Sequence, residues 1–386
     1  MSHIDRFLDI DLPAHQSAFL WGARKVGKST YLKARYPRSI VYDFLRTDLF
    51  LDLVKRPSLL REQLSAKDEA VLAEPVILDE VQKIPGILDE VHWLIENKGL
   101  RFVLCGSSAR KLRRGQANLL GGRAWRFEML PLVSAEIGKV DLLKALNNGL
   151  IPSHYLETDA TRSLRAYTRD FLKEEVFDEG LTRNIPAFSR FFDAMAYSYG
   201  ELTNYSNIAR DCGVDSKTVR EYYHVLVDTL LGGFVEPYSR RTGRQVITRA
   251  PKFYLFDVGV AGALTKRRIK EPRGEQFGKA LEHFVLMELR AYAAYSGFDF
   301  DIRFWRTKAG QEVDFVLGDG EVAVEVKGSS RLDGRDLRGL QAFGEQETPR
   351  KSLVVCTERT ERIVDGIHIL PWALFLDRLW AGEIIS

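Results

Sequence analysis

Four residues near the start of the chain share a spacing with chemical meaning. Gly22, Gly27, Lys28 and Ser29 lie in Trp21-Gly-Ala-Arg-Lys-Val-Gly-Lys-Ser-Thr30, which fits the pattern G-x-x-x-x-G-K-[ST]. Glycines at these positions let backbone N–H groups turn inward around phosphate oxygens, and a helix starting there adds partial positive charge. Lys28 would reach the β- and γ-phosphates of a nucleotide, and the Ser29 hydroxyl would bind Mg²⁺. The candidate cradle runs over Gly22, Arg24, Val26, Gly27, Lys28, Ser29 and Thr30. The bland alternative is an ordinary glycine turn carrying a lysine. The apolar run Ala18-Phe-Leu-Trp21 before it and the helical pattern after it favour phosphate.

A second stretch supplies the acids such a site needs. Pro75-Val-Ile-Leu-Asp-Glu-Val-Gln82 is an apolar strand ending in two carboxylates. Asp79 would hold Mg²⁺ through water, and Glu80 would act as general base on an attacking water. Exposed Asp-Glu pairs are usually just solvated, but a pair that ends a buried strand downstream of a phosphate loop is much rarer. A third strand, Leu104-Cys-Gly-Ser-Ser-Ala-Arg110, ends in small polar residues. Ser107 or Ser108 could sense the γ-phosphate there; a serine capping the next helix fits the pattern nearly as well. No Asn-Lys-x-Asp motif is present to read guanine, which points to ATP.

These residues need a scaffold of parallel strands. Ala18–Trp21, Ser39–Tyr42, Pro75–Leu78, Arg101–Cys105 and Trp125–Met129 read as buried strands, and Pro57–Leu72 and Ile84–Lys98 as amphipathic helices. Such alternation predicts an α/β domain with a parallel sheet over residues 1–140. Residues 141–273 read as a helical connector. It contains a helix over Tyr205–Asp211, a turn at Gly213 and a second helix capped by Asp215 or Ser216. Residues 274–386 read as α/β again, with a helix through Leu289 and strands near Phe304, Val313–Leu317 and Val322–Lys327. The basic turn Ser239–Arg244 reads as an exposed hairpin or loop.

The length of 386 residues suits two or three domains, and 45% hydrophobic content supports real cores. A net charge of +3 demands no nucleic-acid partner, although Arg101–Arg126 holds seven Arg and Lys and no acid. Three scattered cysteines form neither a disulfide framework nor a zinc cluster, as expected in a reducing cytoplasm. The first residues lack the apolar core of a signal peptide, and no apolar run approaches a membrane span of about 18–20 residues. The expected location is cytoplasmic, with no membrane partner.

In order along the chain, "GARKVGKST", "VILDEVQ", "LCGSSARKL" and "LLGGRAWRFEMLPL" resemble the motifs of prokaryotic AAA-like P-loop ATPases. Such proteins carry a C-terminal module of unknown function. Its pattern is matched here by "LTNYSNIARDCGVDSKTVREYYHVLVDTLLGGFVEPY", "PKFYLFDVGV" and "WRTKAGQEVDFVL". The resemblance implies ATP and Mg²⁺ as cofactors and hydrolysis as the reaction, with Lys28, Glu80 and an arginine at the reacting phosphate. Arg123 is the arginine it suggests, within one subunit or across an interface, with Arg110 and Arg113 in competition. It also implies a homo-oligomer, a hexamer being one size left open, and a winged-helix connector.

The C-terminal module it implies is similar to the restriction-endonuclease-like fold, which uses an Asp followed by Glu-x-Lys, often with an acid on an earlier helix. Glu282, Asp314, Glu325 and Lys327 supply those types, and strand alternation puts Glu325 and Lys327 on one outward face. Two carboxylates would hold Mg²⁺ while the lysine, not itself a ligand, orients water. Three readings stay open: an active metal site, a fold that binds DNA, RNA or protein without cutting, and coincidence, since E-x-K is a frequent tripeptide. Lys217, Thr218 and Arg220 could meet a DNA major groove. Against that, Tyr222, Tyr223 and Leu226 look like packing residues, and such domains also serve as lids or protein contacts. ATP hydrolysis controlling the C-terminal module is the leading expectation. A nucleotide-gated switch and an ATP-regulated nuclease are the alternatives.

Overall fold

In the computed structural model of the chain, residues 4–108, 120–171, 184–239 and 250–386 are described. Five strands lie parallel in the order β2-β3-β4-β1-β5: β1 (Ser17–Trp21), β2 (Val41–Asp43), β3 (Val76–Asp79), β4 (Phe102–Gly106) and β5 (Ala124–Glu128). Parallel strands covered on both faces read as continuous apolar runs. Accordingly every residue of β1 and β4 is buried. The helices α1 (Lys28–Arg35), α2 (Thr47–Lys55), α3 (Ser58–Ser65) and α4 (Ile87–Lys98) connect them. Along α4, Ile87, Leu88, Val91, Leu94 and Ile95 recur three and four apart and are buried together. Each large apolar side chain so covered contributes about 1.5–3 kcal/mol. Gly99, in the left-handed region at φ 62°, ends α4 and returns its N–H to Ile95.

One expected buried strand is an edge instead. Among the described residues β5 pairs only with β1, and Trp125 on it is 46% exposed. An edge strand needs apolar residues on one face at most, so the run Trp125–Met129 was a weak guide to burial.

The described residues form two compact units, one made of those within Leu8–Leu130 and Asp228–Leu231, the other of those within Met1–Phe7, Pro131–Val227 and Gly232–Ser386. The second unit holds helices Leu142–Asn148, Pro152–Leu156, Thr161–Ala166, Ile185–Tyr197, Tyr205–Cys212 and Ser216–Asp228. They precede a mixed eight-stranded sheet ordered β12-β13-β11-β10-β9-β8-β6-β7. Its strands are β6 (Gly232–Pro237), β7 (Lys252–Leu255), β8 (Ile302–Arg306), β9 (Glu312–Leu317), β10 (Val322–Val326), β11 (Lys351–Cys356), β12 (Arg362–Val364) and β13 (Ile367–Pro371). β6 pairs antiparallel with β7 and parallel with β8, so one sheet holds strands from both sides of residue 273.

The helix expected to end at Leu289 runs from Glu275 to Tyr295, because good helix formers continue until Gly297 at φ 78°. Asp215 accepts from the Thr218 N–H at the start of the helix Ser216–Asp228, and Gly213 closes the preceding helix in the left-handed region. Both features follow the expected helix–turn–helix chemistry.

Glu288 is fully buried in the long helix. It accepts hydrogen bonds from the Ser134 N–H and hydroxyl, each 2.8 Å, and from Trp380 Nε1 at 2.7 Å, tying three helices together. Burial outweighs these bonds and pushes its carboxyl up to about 7. The folded chain therefore keeps a proton there that the unfolded chain gives up near pH 4.5. Stability from this group should be full below pH 4.5 and fall, by on the order of 1–3 kcal/mol, as pH rises to about 7. Urea denaturation from pH 4.5 to 8, compared with Glu288→Gln, checks this: the variant should lack that component of the slope.

Candidate functional site

The parallel register brings the candidate phosphate residues to one edge of the five-stranded sheet. Trp21 pairs with Gly106 and Asp79 with Cys105, so the loop after β1, the acids ending β3 and the serines after β4 share the C-terminal edge. Open parallel sheets bind ligands at this edge. Two glycines are fixed by backbone geometry. Gly27 sits at φ 103°, and a Cβ on Gly22 would run into the Met129 carbonyl.

Lys28 is buried and its ammonium donates to the Gly22 and Ala23 carbonyls at 2.7 and 3.0 Å. It thus lies across the loop whose backbone would wrap a phosphate. The Ser29 hydroxyl, exposed at the start of α1, donates to Asp79 Oδ2 at 2.7 Å. Two hard oxygen ligands side by side are the donor set Mg²⁺ takes together with phosphate oxygens, so these residues fit that ion. Val26 is buried and Thr30 exposed in the same segment.

Glu80 has a left-handed backbone at φ 59°, unusual for a residue without asparagine's local bonding and strained accordingly. Gln82 Nε2 donates to Glu80 Oε2 at 2.5 Å and to Ser107 Oγ at 3.2 Å. Gln82 Oε1 is buried without a partner. The amide orientation is nonetheless fixed, because turning it would set oxygen against a carboxylate. Of the two candidate serines it is Ser107 that joins this relay. Ser108, the other candidate, is fully buried and donates to the Asp228 carbonyl at 3.3 Å.

Arg123 stands at the opposite edge of the sheet. It precedes β5, whose first residue Ala124 pairs with Ser17, the first residue of β1. Its guanidinium pairs with Glu96 and donates to the Gly121 carbonyl at 3.2 Å. A role at Lys28 of the same subunit does not fit this placement; a role across an interface is compatible with it. Arg110 and Arg113 lie outside the described residues, as do positions 240–244 of the basic turn.

A family model described as an AAA domain matches residues 14–138. Residues 14–138 have the P-loop NTPase fold and are AAA-like. Two further models, both described as domains of unknown function, match residues 139–271 and 277–375. An uncharacterized protein of Methanocaldococcus jannaschii is 23% identical over 357 residues, covering 84% of this chain and 77% of that one. Among solved structures, the Aeropyrum pernix ORC1 protein in complex with DNA is 14% identical. The match covers 65% of this chain and 86% of that chain, with TM-score 0.27. A Pyrococcus horikoshii STAND protein with a tetratricopeptide repeat sensor is 12% identical over 72% of this chain and 43% of its own, with TM-score 0.19. Among the described residues no helix is long and apolar enough to cross a membrane, and Cys105, Cys212 and Cys356 are buried free thiols.

Downstream of the AAA-like domain, the four C-terminal candidates do come together. Val326 N–H donates to Asp314 Oδ2 at 2.8 Å, Asp314 N–H to Glu325 Oε2 at 3.3 Å, and Lys327 Nζ to Glu325 Oε1 at 2.5 Å. Burial, followed by the neighbouring Glu325 and Glu282 charges, drives the Asp314 carboxyl well above the usual range, and burial raises that of Glu325. Glu325 was expected to face outward; all of β10 is buried, because it lies inside a sheet covered on both faces.

Three participants were not among the expected residues. Lys252, on β7, sits 3.6 Å from Glu282 and 2.5 Å from Glu312, and Tyr254 donates to Glu282. A lysine opening the apolar strand Lys252-Phe-Tyr-Leu255 was the available signal, since a buried cation needs acids around it. Among the described residues, no group of three or more His, Cys, Asp or Glu side chains is arranged to hold a metal ion. The carboxylates of Glu282, Asp314 and Glu325 engage lysines, a tyrosine and backbone N–H groups.

At the phosphate edge, a Cβ on Gly106 would collide with Gln82 Oε1 and approach Trp21 Cζ3 to 2.9 Å. Gly106→Ala should cost about 1–3 kcal/mol, read as a lowered urea midpoint at unchanged slope.

Proposed function

We propose that the protein is a Mg²⁺-dependent ATPase whose nucleotide state controls its C-terminal module. The observation that carries this reading is the 2.7 Å contact between Ser29 and Asp79 beside Lys28, with Glu80 next in sequence. When bound, Mg²⁺ would neutralise charge on the β- and γ-phosphates from Ser29 and Asp79. Lys28 would leave the Gly22 and Ala23 carbonyls for the phosphate oxygens, which offer its ammonium a charged acceptor. Backbone N–H groups of the loop through Arg24, Val26, Gly27 and Thr30 would cradle the phosphates. Glu80 would take the proton from the attacking water, and Ser107 would report on the γ-phosphate through Gln82.

Homo-oligomerisation supplies the missing cation in this scheme. Arg123 lies at the sheet edge away from its own Lys28, so it would have to act on a neighbouring subunit. The paired helices Tyr205–Cys212 and Ser216–Asp228 followed by the β6–β7 hairpin support a winged-helix reading. Lys217 and Arg220 are exposed there, and a partner surface for DNA, RNA or protein is part of the proposal. Tyr222, Tyr223 and Leu226 are buried, as packing residues should be.

Steady-state turnover and nucleotide affinity test the reading together. Glu80→Gln should lower kcat about 10²–10⁴-fold while retaining ATP binding. Lys28→Ala should lose ATP binding itself. Full turnover in Glu80→Gln would remove Glu80 from the reaction.

A gated version of the same activity is favoured by one contact. The Gln82 amide occupies a Glu80 oxygen that must accept a proton from water. The isolated protein should thus turn over slowly, and Gln82→Ala should raise basal kcat several-fold at unchanged ATP affinity. A fall in kcat instead would make Gln82 a positioning residue for Glu80.

A further inference from the structure

The C-terminal cluster contains four acids, Glu282, Glu312, Asp314 and Glu325, and it also contains its own cations. Lys252 starts on β7, passes Phe304 on β8 with its ammonium 5.4 Å from the ring centre, and reaches Glu312 on β9 at 2.5 Å. Its side chain is only 6% exposed, so the ammonium has exchanged water for carboxylates. Arg306 holds the other side of Glu312 at 3.1 Å, and Lys327 holds Glu325 at 2.5 Å. Tyr254 donates to the same Glu282 oxygen that faces Lys252.

We propose that Lys252 is a resident counter-ion that closes this cluster, so that the C-terminal α/β module takes up no divalent metal ion there and does not cleave nucleic acid. Carboxylate oxygens must be unshared and convergent to ligate a divalent ion, because Mg²⁺ and Mn²⁺ demand near-octahedral oxygen sets. Here a fixed ammonium lies among them, and a dication would have to displace it from the acids that neutralise it. Charge balance points the same way. Four acids face three cations, and Lys252, Arg306 and Lys327 each lie within 3.1 Å of one of those carboxylates.

Lys252 also ties the β6–β7 hairpin edge to the long helix and to β9, which gives the cluster a mechanical role in place of a catalytic one. A charged network of this kind fixes one arrangement of the elements that carry it, because removing one partner strands a buried charge.

Mn²⁺ alone is the probe, titrated without nucleotide into the full chain and followed by the electron paramagnetic resonance signal of the free ion. A Ser29→Ala background removes the phosphate-site contribution from every sample. The chain with Lys252 should bind no Mn²⁺ at millimolar concentration. Lys252→Met should bind one Mn²⁺ at least ten-fold more tightly than that limit, and adding Asp314→Asn should abolish the gain. Binding to the Lys252-containing chain that Asp314→Asn removes would overturn the proposal. So would a folded Lys252→Met chain, checked by circular dichroism, that gains nothing. If Lys252→Met does not fold, Lys252→Gln takes its place and the Lys252-containing arm still decides. The Ser29→Ala chain with intact Lys252 should also leave labelled DNA and RNA oligonucleotides uncut in Mn²⁺ or Mg²⁺; cutting that disappears in Asp314→Ala would refute the second half of the proposal. None of these arms uses ATP, so failure here is distinct from failure of the ATPase reading.

Discussion

The parallel pairing of β3, β4 and β1 is the constraint on which the phosphate edge depends. With Asp79 opposite Cys105 and Gly106 opposite Trp21, three strand ends stop at one level. That alignment lets Ser29, one residue into α1, reach across to Asp79. It also puts Gln82 within reach of both Glu80 and Ser107. Shifting one strand by a residue would turn its side chains to the opposite face. The close approach of the Met129 carbonyl to Gly22 belongs to the same pairing, because Met129 N–H continues the β5 ladder onto Trp21.

The two charged centres of the molecule follow opposite electrostatic logic. At the phosphate edge Ser29 is exposed and Asp79 and Glu80 are partly exposed, and oxygen ligands stand ready for an incoming cation and phosphate. In the C-terminal sheet, buried acids and the buried Lys252 answer one another, while Arg306 and Lys327 reach partly into solvent. An exposed, incomplete set suits a ligand that arrives and leaves. An internally paired set suits a fixed architecture.

The grouping of the candidate phosphate residues was largely legible in the sequence because it is local: Gly22 to Thr30 and Asp79–Glu80 are contiguous motifs on strands whose apolar runs are clear. The C-terminal acids were legible as types, through Asp314 and Glu325-x-Lys327. Their meaning was not, because Lys252 lies 62 residues before Asp314 and meets the cluster only through the fold. Edge and interior strands were likewise indistinguishable for β5, since hydrophobic runs do not state how many neighbours a strand has. The placement of Arg123 away from Lys28 follows from the parallel pairing of β5 with β1, which sets the start of β5 beside the start of β1 and which no local motif encodes.

The most direct test of the central account is a crystal structure of the Glu80→Gln chain with ATP and Mg²⁺. The account predicts that Lys28 Nζ leaves the Gly22 and Ala23 carbonyls for the β- and γ-phosphates, with Mg²⁺ on Ser29 beside Asp79. It also predicts an arginine from a neighbouring subunit at the γ-phosphate. Nucleotide bound elsewhere, or Lys28 still on the loop carbonyls with the phosphates in place, would contradict it.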